Sequence, residues 1–161
     1  MKKNKLEVVK MHSKYCLNEH YGIKVDGVSL DALLHAQYSE INCEGLVPTM
    51  PDWLEDSRER TLVLSRYLSR DPIVMLPLFM CPDDCDLWCT LIIAEVIQEG
   101  SCIRWSRMGL DQSTGEELIR SYKYIGASVN WLDKIPSMVF DREEYDEQIN
   151  KLLHSQASEG N

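Results

Sequence analysis

Nowhere in this chain do about eighteen apolar residues follow one another, the least that a membrane-crossing helix needs. No spanning helix is therefore expected. The start, MKKNKLEVVKMHSKYC, has lysines but not the unbroken apolar segment that follows the charges of a secretory signal, so a cytoplasmic protein is expected. Phosphate-wrapping loops are missing as well: the eight glycines are scattered, with no GxGxxG and no Gly-Lys-Ser/Thr ending. HExxH, GxSxG and CxxC are absent, which removes the sequence carriers of zinc-hydrolase, serine-hydrolase and thioredoxin-type chemistry. Repeats, low-complexity tracts and linkers are absent too. The whole of 1–161 reads as one domain, with 1–5 and 155–161 expected to fray.

Positive charge is also scarce. The net charge is −9, and residues 1–14 hold five lysines against Glu7, a net of +4 that leaves −13 for the remainder. Nucleic acid needs a basic face that displaces counterions, so it is not the expected partner. A cationic protein is.

What is present divides into elements. YGIKVDGVSL reads as a short strand and turn, after which Ser29 can cap a helix whose Leu30, Leu33 and Leu34 share a face. DWLEDSRERTLVLSRYLS reads as a second helix with acids early and arginines late, the sense the helix dipole favours. PIVMLPLFMC is a strand candidate in which Pro77 calls for an edge or a bulge. From Trp88 the chain alternates through WCTLIIAEVIQE, turns, and returns as CIRWSR, a β-hairpin whose first strand is apolar on both faces and so central in its sheet. YIGASVNWL supplies another possible strand. FDREEYDEQINKLL closes with Asp141 as cap and a stripe of Tyr145, Ile149, Leu152 and Leu153. The sum predicts an α+β fold: a largely antiparallel sheet packed by about three helices, the last one C-terminal.

One stretch concentrates reactive side chains. Cys81–Cys89, CPDDCDLWC, spaces three cysteines four apart among three aspartates. Structural zinc wants four ligands, usually in two closely spaced pairs; Cys81, Cys85 and Cys89 would need Cys102 as a fourth from across the hairpin turn. Without an export signal, reduced thiols or a metal site are expected over disulfides. Cys89 and Cys102 also fit strand positions as small buried hydrophobes. His12, His20, His35 and His154 complete the inventory, with His35 beside Cys43 or Cys81 the one conceivable nucleophile–base pair. Stripped of metal, the loop is a proline turn that projects carboxylates and Trp88, a profile suited to recognition by charge and an aromatic anchor.

The run LPLFMCPDDCDLWCTLIIAEVIQEGSCIRWSRMGLD, with VNWL and FDREEYDEQINKLL downstream, resembles a loose group of small bacterial proteins with a proline-cysteine-acid loop between two strands. That resemblance implies no activity and no catalytic residues. In size, acidity and lack of enzyme motifs the chain is similar to immunity proteins of bacterial toxin systems, including contact-dependent growth inhibition. This likeness of type implies a noncatalytic protein that neutralises a cationic toxin domain, often a basic nuclease, with no cofactor, membrane or nucleic acid involved. The expected contacts are Glu55, Asp56 and Glu59 on the second helix and Asp83, Asp84, Asp86 and Trp88 on the loop. The alternative expectation is a small zinc-binding or thiol-dependent protein built on Cys81, Cys85, Cys89 and Cys102.

Overall fold

A computed structural model of the chain describes residues 2–12, 19–83, 86–112 and 124–154. In chain order the elements are β1 (Leu6–Met11), β2 (His20–Val25), β3 (Val28–Ser29), α1 (Leu30–Gln37), β4 (Val47–Pro48), α2 (Ser57–Tyr67), β5 (Ile73–Met80), β6 (Ile92–Glu99), β7 (Cys102–Asp111), β8 (Val129–Trp131), β9 (Met138–Asp141) and α3 (Arg142–Leu153). Every strand pairing is antiparallel. One sheet runs β1-β2-β3 and the other β4-β5-β6-β7-β8, with β9 also on β7. The fold is mixed α+β, as the alternation and the helical stripes predict.

The large sheet is organised by the hairpin of β6 and β7. Gly100, at φ 61°, takes the first position of its two-residue turn, where a side chain would be strained. Both neighbours of β6 are long strands, and Ile92, Ile93, Ala94 and Val96 are all buried, which explains its apolar residues on two faces. The register shift between Pro77 and Phe79 supplies the bulge that Pro77 calls for. Trp105 is fully buried and packs edge-on against Phe140 and Tyr145, donating its indole N–H to the Tyr145 hydroxyl at 3.2 Å. Asp141 caps α3 by accepting the Glu144 amide, and Tyr145, Ile149, Leu152 and Leu153 all face the core.

Several expectations need correction. LEVVKM, within the lysine-rich start, is an edge strand paired with β2 from Leu6–Val25 to Met11–His20. Its exposed edge is covered by α3: Gln148 accepts the Val8 amide at 2.8 Å and Lys151 donates to the Val8 carbonyl. Asn4 exchanges hydrogen bonds with Val139, and Lys5 donates its amide to Asp26, so the segment just before β1 is bonded into the fold. Ser29 precedes α1 but makes no side-chain cap there. The second helix starts at Ser57, because Pro51–Trp53 forms a separate 3-10 turn and Asp56 caps the helix proper. The first strand of the hairpin starts at Ile92, leaving Trp88 and Cys89 in the loop before it. The C-terminal stretch 155–161 lies outside the described residues.

Candidate functional site

The loop from Cys81 to Leu91 joins β5 to β6, and a disulfide between Cys81 and Cys89 closes it. The expectation of reduced thiols or zinc ligands fails at these two positions: once Cys89 lies outside the strand, the chain folds back and brings the Cα atoms within 6.0 Å, the span a disulfide needs. The four-cysteine zinc set fails for a second reason. Cys89 precedes one end of β6, while Cys102 faces Glu99 at the other end, about 24 Å along a strand of that length. Cys102 is therefore no fourth ligand to the loop. Cys85 and Asp84 lie outside the described residues. Among the described residues, no group of three or more His, Cys, Asp or Glu side chains is placed to hold a metal ion.

The thiol–histidine pairing is also overturned. Cys43 is fully buried and its thiol is pushed up to about 11, first by burial and then by the charges of Asp31 and Glu40. An activated nucleophile needs the opposite shift. Cys81 is spent in the disulfide, and His35 Nε2 instead lies 3.5 Å from Glu44.

Beneath the closed loop lies the first turn of α2. Leu87 drops into the core, and its amide donates to Glu59 Oε1 at 2.8 Å, a contact across 28 residues of sequence. Glu59, expected as an exposed contact, is thus buried, with 2% of its surface accessible. A loop amide that has left water needs an acceptor, and the acid reaching it is covered by the same loop. Burial raises the Glu59 pKa; the Leu87 hydrogen bond opposes that rise, and the charges of Asp86 and Asp56 add to it.

The remaining candidates gather around this link. Asp56 accepts the Arg58 amide at 2.8 Å and pairs with the Arg58 guanidinium at 3.0 Å, which holds its carboxyl at about 2. Glu55 lies before the helix and is exposed, its carbonyl tied down by Arg60 at 2.8 Å. Asp86 accepts the Trp88 amide at 3.0 Å, a local turn that turns the indole outward with 44% of Trp88 exposed. Asp83 is exposed on the same loop. Helix cap and loop, distant in sequence, thus form one neighbourhood in which Asp56 and Asp86 flank a buried acid. The signal that sequence reading lacked was Leu87, an apolar residue amid aspartates that marks where the loop turns inward.

Comparisons with protein-family models, with curated proteins and with solved structures find no match for this chain. Among the described residues, no helix is long and apolar enough to cross a membrane.

Proposed function

We propose that this chain is a noncatalytic binding protein of the immunity type, which neutralises a cationic toxin domain, most specifically a basic nuclease, by forming a tight complex with it. One observation carries the reading: the Glu59–Leu87 hydrogen bond joins the cap of α2 to the disulfide-closed loop, so that Asp56, Asp86 and exposed Trp88 share one surface. Such a surface combines the two features that recognition of a basic partner needs. Carboxylates steer encounter and oppose Lys or Arg, while an aromatic side chain held by its backbone supplies area at low entropic cost. The net −13 of residues 15–161 strengthens the steering. A phosphate-binding groove on the partner is the complementary target.

The experiment is a search of the neighbouring genes for a large secreted protein, followed by co-expression of this chain with the C-terminal domain of any protein so found. Survival of the cells and co-purification of a complex that weakens steeply with salt are expected. Glu55→Lys combined with Asp83→Lys, at exposed positions, should abolish rescue while the circular dichroism spectrum stays unchanged, and Trp88→Ala should weaken it. Absence of both rescue and complex defeats the immunity reading; rescue that survives double charge reversal moves the interface elsewhere.

A further inference from the structure

Arg66, Arg70 and Arg142 line a single cavity of about 210 Å³, whose wall carries one carboxylate, Asp146. In a chain of net −9, this is a local excess of two positive charges. The cavity lies between the C-terminal end of α2, the core-facing side of α3 and the large sheet. Its floor is apolar: Val74, Leu76, Val96 and Ile103 from three strands, with Ile149 and Leu153 from α3, all buried.

The state of the three guanidinium groups sets them apart. Arg58, Arg104 and Arg107 each have an acid at 3.0 Å. Among the described residues, no carboxylate lies within ion-pair distance of Arg66, Arg70 or Arg142. Arg66 donates to the carbonyls of Met75 and Ile125, and Arg142 to the carbonyl of Gly100 and the side chain of Gln98, all neutral acceptors. Arg70 is exposed at the rim. Burial disfavours the charged form of Arg66, and the charge of Asp111 counters it in part. The two phenols in the wall add no negative charge at neutral pH: burial pushes Tyr67 up to about 12 and Tyr145 also upward, and their hydroxyls meet Thr49 and Trp105.

Cations with neutral partners beside an apolar floor describe a ligand with two parts. We infer that the cavity binds a small amphiphilic carboxylate, its head at the arginine side and its short apolar tail on the floor of Val74, Val96 and Ile103. Pockets for drug-sized ligands run to roughly 300–1,000 Å³, so this smaller space limits the tail to a few carbons. The site lies at the other end of α2 from the acidic surface and does not depend on a toxin partner.

Titration of the full-length, isotope-labelled protein with hexanoate, followed by amide NMR shifts, tests the inference, with acetate and hexylammonium as head-only and opposite-charge controls. Saturable shifts at Ser69, Arg70, Gln98 and Asp146 in the millimolar range are expected, with both controls at least tenfold weaker. Arg70→Ala, at an exposed position, should weaken hexanoate binding severalfold, and Asp146→Asn should tighten it. Equal binding of hexylammonium, saturation at other amides, no saturation at all, or indifference to both variants would each overturn the site.

Discussion

At its first turn α2 holds a buried acid that accepts an amide from the loop after β5; near its last turn it holds a half-buried cation that donates to two carbonyls. Glu59 and Arg66 thus do the same work with opposite charge. Each anchors the helix to neighbouring chain by satisfying backbone groups that packing has removed from water. The sign follows from what the neighbour presents. The inward-turning loop offers the Leu87 N–H, whereas Met75 and Ile125 offer C=O groups. The helix dipole favours the same placement, acid first and cation last. What differs is the surroundings. The acidic end is closed by a disulfide and shows Trp88 outward, while the basic end opens on a cavity floored with apolar side chains.

The contrast is broken most severely at the basic end. Arg66→Met removes two hydrogen bonds from a charged donor and should cost about 3 kcal/mol in urea denaturation. Arg66→Lys should recover less than half of that, because an ammonium lacks the planar fork that reaches two carbonyls. Next comes the acidic end's covalent tie. Cys81→Ser with Cys89→Ser reopens a loop of eight-residue separation and should cost about 2.5 kcal/mol on the chain-entropy estimate. Glu59→Leu, which strands the Leu87 amide, should cost about 1–3 kcal/mol. Double-mutant cycles then sharpen the comparison. Glu59→Leu should couple strongly to loss of the disulfide, since both act on the same loop. It should add simply to Arg66→Met, about 10 Å away along the helix.

The same contrast shows what a sequence can carry. The stripe of Tyr145, Ile149, Leu152 and Leu153 and the alternation around Ile103 and Trp105 are local patterns, and each appears where its period places it. β1 does not announce itself, because LEVVKM carries a lysine and a glutamate within six residues and its edge is satisfied by Gln148 and Lys151 from the far end of the chain. Glu59 shares a helix face with Val63, four residues on, yet its charge reads as solvent-exposed; a loop 28 residues on buries it. The disulfide was hidden by an argument from compartment, while the geometry that decides it depends on where β6 begins. Glu55 and Asp83 are exposed, as charged side chains are by default. The cavity's arginines come from α2 and α3, and only packing brings them to one wall.

The smallest expected effect is the most discriminating. Glu59→Gln keeps an oxygen that can accept the Leu87 amide but removes the buried charge. Burial raises the folded-state pKa of Glu59 above the ordinary 4.5, so the native protein holds this proton to higher pH than the unfolded chain does. Its contribution to stability is therefore fullest below pH 4.5 and declines as pH rises through the folded-state value. Asp56 has the opposite sign. Its folded value of about 2 lies below the ordinary 3.8, so its contribution is present above that and is lost as pH falls toward 2. The two windows do not overlap. Urea denaturation across pH should show Glu59→Gln matching the parent in acid and gaining on it as pH rises past 4.5. Asp56→Asn should lie below the parent above pH 3.8 and converge with it as pH falls toward 2. A Glu59→Gln variant that instead loses ground as pH rises would mean that the Leu87 hydrogen bond outweighs desolvation. Glu59 would then be a stabilising charge like Arg66's mirror image, rather than a strained one held in place by the loop.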